Sequence, residues 1–184
     1  MQSLGATTLE QICERADVAN RSFFNHFPKR EDMIRALAAE RLTNLSKALE
    51  ERRSPKRTAP RELRAFFDDI GDYLETVGAP YKELVGAMLA AASGATPLGV
   101  GHDNDLYAMF LDLIKEGVAK GEITERHDPS ALADIVIGGL IVALLNWTSD
   151  DTYSVKSGLH ATGTALADLL APTDKPKPKK RGGR

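Results

Sequence analysis

Apolar residues recur at three- and four-residue steps over most of this chain, the period of a helix that buries one side. Leu9, Ile12 and Ala16 fall at i, i+3 and i+7, which predicts a first helix of about two turns. Thr7 and Glu10 have the spacing of a capping box, so initiation is expected at Thr7. Asp17 stands where the chain must turn, and Asp tolerates a left-handed backbone better than most residues. A second short run, Asn20 to Phe27, adds Phe23 and Phe27 to the same small core, and Pro28 stops it. From Glu31 to about Arg53 the stripe Ile34, Leu37, Ala38, Leu42, Leu45, Leu49 predicts one long helix. Ser54 to Pro60, with its two prolines, marks a boundary.

The remainder predicts helices throughout. Residues 60–77 carry Leu63, Phe66, Phe67, Ile70, Tyr73 and Leu74, and Gly78-Ala79-Pro80 breaks that run. A helix of small residues follows over 80–92, then a glycine-rich loop at 93–101. Residues 103–120 are amphipathic and end at Gly121. Asp128-Pro129 opens the most apolar helix, a cap followed by proline at the first helical position. Its segment 131–147 approaches a membrane span in hydropathy but is marginal in length. A helix apolar all round is otherwise buried, and an amphipathic partner follows at 154–170. Gly138, Gly139 and Ala143 on one of these helices, and Gly158, Ala161, Gly163 and Ala165 on the other, permit close helix–helix approach. The pair reads as an isologous four-helix dimer interface, with a core pair inside one protomer as the alternative. The expected layout is an all-α chain with a head at 1–53, a helical body at 60–171 and a basic tail at 172–184 too poor in apolar residues to fold.

The second short helix leaves Asn20, Arg21, Ser22, Asn25 and His26 for its outer face. Asn and Arg grip base edges bidentately, and a helix-turn-helix lays its second helix in the major groove. An ordinary helical hairpin with a solvated polar face has the same spacing. Pattern alone leaves both open.

The stretch TTLEQICERADVANRSFFNHFPKREDMI goes further than spacing. Thr7-Thr8, Ile12-Cys13, Ala16-Asp17-Val18-Ala19, Phe23-Phe24, His26-Phe27 and Arg30-Glu31-Asp32-Met33 resemble, in order, the DNA-binding segment of the TetR/AcrR family of bacterial transcriptional regulators. That resemblance implies a ligand-responsive homodimer reading a palindromic operator in double-stranded DNA, in most cases as a repressor. It implies base contacts from Asn20, Arg21, Ser22, Asn25 and His26, and backbone contacts from Thr8, Lys29 and Arg30. Phe24 stands where the family has a tyrosine whose hydroxyl meets phosphate, so that hydrogen bond is lost. Asp17 replaces the turn glycine, and Ala19 replaces a serine cap worth about 1 kcal/mol. The family carries a further helix before the Thr-Thr, where this chain has only MQSLGA, so the helix-turn-helix domain is expected to lack its first helix, either because the true start lies upstream of Met1 or because the domain is incomplete. The alternative function that follows is a helical dimeric ligand-binding module without DNA binding. Dimerisation is expected through 129–147 and 154–170. An unidentified small-molecule effector is expected in the body, with Phe66, Phe67, Tyr73, Met88, Met109, Phe110 and Trp147 as candidate lining residues, since aromatics and methionines suit an adaptable apolar site.

Charge supports this division. Residues 1–57 hold 11 Lys and Arg against 8 Asp and Glu, residues 58–172 hold 7 against 17, and residues 173–184 hold 6 against 1. A basic head and tail flank an acidic body, as expected where only the ends approach phosphates. The tail could add sequence-blind affinity for DNA or serve only as a solubilising extension. One cysteine excludes a disulfide framework, and Cys13 reads as a small buried apolar residue. No signal peptide opens the chain, so a cytoplasmic protein without membrane attachment is expected. The GVG at 99–101 lacks a nucleotide-binding context, and His26, His102, His127 and His160 lack metal-ligand spacing. No cofactor, metal or enzymatic activity is expected.

Overall fold

The computed structural model describes residues 8–92 and 105–172. Among them every regular element is helical: α1 (Leu9–Ala16), α2 (Asn20–His26), α3 (Arg30–Glu51), α4 (Ala59–Ala92), α5 (Asp105–Ala119), α6 (Pro129–Ser149) and α7 (Val155–Leu170). The expectations placed on the residues ahead of Thr8, on the GVG loop, on His102 and on the basic tail from 173 onward lie outside the described residues.

Local chemistry sets the helix ends. The cap of α1 is Thr8, one residue later than the Thr7–Glu10 spacing predicts. The Gln11 N–H donates to Thr8 Oγ1 at 3.2 Å, and the Thr8 N–H donates to Gln11 Oε1 at 2.9 Å. A glutamine at the third helical position makes the same reciprocal bond as a glutamate, which is why the shifted register costs nothing. Asp17 ends α1 in the left-handed region (φ 54°, ψ 42°), its N–H shared between the Cys13 and Glu14 carbonyls. Asp128 caps α6 by accepting from the Ser130 N–H at 2.8 Å. The expected three-residue break at 78–80 is one residue wide. Only Gly78 leaves helical geometry within α4 (φ 64°, ψ −155°), a conformation nearly confined to glycine.

α4 runs along α7, and α6 lies against α4, α5 and α7. The first two meet closely because Gly163 faces Phe67; a Cβ there would stand 2.6 Å from that side chain. Phe110 anchors the core, with ring centroids 6.0 Å from Phe66 and 6.4 Å from Phe67. Around them Leu63, Ile114, Val136 and Leu159 are wholly enclosed. By length and composition α6 is a helix that could cross a membrane, yet Ala133, Val136, Leu140, Ala143 and Trp147 are buried within the bundle. Three of the small residues assigned to helix contacts are used inside the protomer. Gly139 faces Thr162, Gly158 lies under Tyr153, and Gly163 admits Phe67.

α3 is fastened to this body at its C-terminal end. Arg53 pairs with Glu116 at 2.7 Å and Arg52 with Asp69 at 2.9 Å. The linker beyond is also held. Glu62, only 2% exposed, accepts from the Ser54 N–H and pairs with Arg57, each at 3.3 Å. Glu122 accepts the otherwise orphaned Ala59 N–H of α4 at 2.8 Å.

Candidate nucleic-acid interface and effector cavity

The head is a small structure with little apolar cover. Cys13 and Ile34 are buried, Ile12, Phe23 and Phe27 are half-buried, and the Phe23 and Phe27 rings lie 5.4 Å apart. With its inner side committed to that contact, α2 presents the rest outward. Asn20, Arg21, Ser22, Asn25 and His26 are all exposed, as is Lys29 in the turn after α2. Phe24 is 37% exposed and meets Phe23 edge-on at 5.9 Å. Arg30 is half-buried at the first position of α3. Thr8 is exposed at the start of α1; its oxygen accepts from the helix, so its hydroxyl proton remains available to an outside acceptor such as a phosphate. Ala19 caps α2 with backbone alone and makes no side-chain hydrogen bond. The outward groups thus combine bidentate-capable amides, a guanidinium and a lysine on one side of a short helix, chemistry suited to base edges and phosphates.

A second feature lies in the body. A cavity of about 380 Å³ opens between α3, both arms of α4, α5 and α6. That is within the range of small-molecule sites. α3 supplies Ala38, Arg41, Leu45, Ala48 and Leu49, and its C-cap residue Arg52 joins them. Ile70, Tyr73 and Leu74 come from before the α4 break; Tyr81, Val85 and Met88 come from after it. Leu106, Ile137, Leu140, Ile141 and Leu144 complete an aliphatic floor. Across the break, Tyr73 and Tyr81 meet edge-to-face with centroids 5.7 Å apart. Burial raises the Tyr81 phenol above the ordinary tyrosine range, the neighbouring Tyr73 adds to this, and the charge of Arg41 opposes it.

Of the aromatic and methionine residues proposed from sequence, Tyr73 and Met88 line this cavity. Phe66, Phe67, Met109, Phe110 and Trp147 are buried in the core instead. The α3 wall was not among the sequence candidates. Its signal was present in Ala38 and Ala48, two small side chains interrupting a leucine stripe and leaving room that leucine would fill.

The family described as bacterial regulatory proteins, tetR family, matches residues 2–37, the whole helix-turn-helix and the start of α3. The head of the chain is therefore similar to the DNA-binding segment of the tetR family. The match does not favour a module that has lost DNA binding, because the segment matched is the one that carries the reading head. Among solved structures, the chain is similar to Thermus thermophilus FadR, a TetR-family transcriptional repressor crystallised in complex with lauroyl-CoA. The TM-score is 0.72 at 17% identity, covering 97% of this chain and 91% of the other, a likeness that establishes the all-α TetR fold. No curated protein matches the chain in sequence.

Proposed function

We propose that this chain is a TetR-family regulator, a sequence-specific repressor that leaves its operator when a small molecule enters the body cavity. It is a binding protein of the cytoplasm rather than an enzyme. The observation that carries this reading is the position of α3. Its first residue stands a three-residue turn from the recognition helix, and its inward side from Ala38 to Arg52 walls the cavity. An occupant that displaces that wall moves the reading head. The solved repressor FadR holds lauroyl-CoA, which makes acyl thioesters reasonable first effectors to test here.

The unit that reads DNA is a homodimer. Ile135 and Val142 of α6 are each 56% exposed and Leu169 of α7 is 75% exposed. Gly138, with open space at its Cβ position, and exposed Ala161 and Ala165 lie among them along the same two helices. Such an apolar face on a soluble protein supports an isologous contact, and two heads on one axis read a palindrome.

The test begins by selecting bound genomic fragments with the full chain, then titrating the recovered site against random duplex. Specific binding should be at least about a thousandfold tighter. Arg21→Ala and Asn25→Ala should each cost about 1–3 kcal/mol and relax the site preference. Equal affinity for the recovered and random duplexes would end the proposal. Adding lauroyl-CoA should then release the specific complex, while coenzyme A alone should not.

A further inference from the structure

We infer that the cavity takes an amphipathic anion, an aliphatic chain bearing one acidic group, and that Arg41 is the residue that selects the acidic group. This rests on the cavity being the effector site. Among the described residues the floor, formed by Ile70, Leu74, Leu140 and Ile141, is aliphatic, which suits an occupant whose body is hydrocarbon. Among the described residues the charged groups on the wall are three: Arg41, Arg52 and Asp69. Arg52 and Asp69 satisfy each other at 2.9 Å, and Asp69 repels a second anion at that end. Arg41 has no acidic partner among the described residues. It stands on the side of α3 that faces the cavity, close enough for its charge to act on the Tyr81 phenol.

That arrangement fixes a direction as well as a composition. Arg41, Leu45, Ala48 and Arg52 fall at i, i+4, i+7 and i+11 on one side of α3, so the two guanidiniums are separated by about 16 Å along the axis. The acidic group belongs at the Arg41 end, toward the reading head and beside the tyrosine pair. The chain then lies along Leu45 and Ala48 toward the closed ion pair. A carboxylate and the phosphates of a thioester carrier share the chemistry that a guanidinium fork recognises.

Calorimetric titration of the full-length protein with dodecanoate, dodecanol and lauroyl-CoA separates these sources. At least one anionic ligand should bind about tenfold or more tightly than the alcohol, the effect of one charge-assisted hydrogen bond. Arg41→Gln should abolish that preference while leaving dodecanol within about twofold, which also shows that the cavity remains folded; Arg52→Gln should leave the preference in place. Loss confined to dodecanoate assigns a carboxylate to Arg41, and loss confined to lauroyl-CoA assigns a phosphate. If Arg41→Gln leaves every ratio unchanged, or the alcohol binds as tightly as both anions, this inference is overturned and the cavity reading stands. If none of the three binds, both are overturned.

Discussion

Val142→Arg tests the proposed dimer at the position where the monomer has least to lose. Val142 is 56% exposed on α6, so about half of its side chain is already covered within the protomer. Full burial of a valine-sized side chain is worth about 1.5–3 kcal/mol, so the exposed half has about 1 kcal/mol still to gain. An isologous interface counts every substitution twice, which makes the apolar loss about 2 kcal/mol per dimer. Two guanidiniums brought into one apolar contact add repulsion and desolvation of several kcal/mol. The dimer dissociation constant should therefore rise by at least about a hundredfold. Within the protomer the arginine stem has open solvent to enter, and the change in monomer stability should stay within about 0.5 kcal/mol. Sedimentation velocity across a concentration series reads the association, and far-ultraviolet circular dichroism checks the fold. Operator affinity should fall with the dimer, since one head cannot reach both half-sites. A Val142→Arg protein that sediments as an unchanged dimer would refute the argument, because no other face of the helices has been assigned to the contact.

Ala19→Ser restores a side-chain acceptor to the uncapped start of α2 and should stabilise the head by about 1 kcal/mol, read as slower local amide exchange in α2. Gly78→Ala should cost about 1–3 kcal/mol in denaturant unfolding; open space surrounds the position, so the penalty comes from its φ of +64° and not from a clash. Acid should weaken the attachment of α3. The Arg53 guanidinium holds the Glu116 carboxyl below its ordinary 4.5, so the folded state binds this proton less readily than the unfolded chain. That contribution is present above about pH 4.5 and is lost as pH falls through the lowered folded value. Glu116→Gln should lower the melting temperature slightly near pH 7, where the contribution is present, and flatten the profile in the acid window, so that the two proteins converge below it.

The helices were legible because each buries one side, and a stripe such as Leu63, Phe66, Phe67, Ile70 and Leu74 has no other use. The turn at Asp17 was legible for a similar reason, since few side chains accept its left-handed backbone. The α1 start slipped by one residue because threonine occupies both 7 and 8, and each has a Glu or Gln three positions on. The exposed polar side of α2 followed from the residues left over once Phe23 and Phe27 turned inward. The cavity could not be read in the same way. A hole exists where facing side chains fail to meet, and periodicity reports only which side they face. Large rings such as Phe66 and Phe110 fill space, so they sit where the core is dense. The gap forms where Ala38 and Ala48 oppose the bent α4, a juxtaposition of residues distant in sequence. Glu62 was equally hidden, because burial of its carboxylate depends on Arg57 and the Ser54 N–H folding back over it.

The way α3 is held explains how a modest ligand could control a large complex. Its 22 residues make a rod of about 33 Å, with the recognition helix at one end and the cavity along the other. The ties at the cavity end are the Arg52–Asp69 and Arg53–Glu116 pairs, whose partially exposed side chains place each near the 0–1 kcal/mol typical of surface ion pairs. Leu42, Leu45 and Leu49 supply the apolar remainder, and the cavity removes part of what they would pack against. To weaken operator binding a hundredfold, an effector must prefer the displaced arrangement by about 2.7 kcal/mol. One well-placed charge contact and a few buried methylenes are sufficient for that. An occupant that fills the floor without engaging α3 has no difference in affinity between the two arrangements, and however tightly it binds, the proposed repressor would stay on its operator.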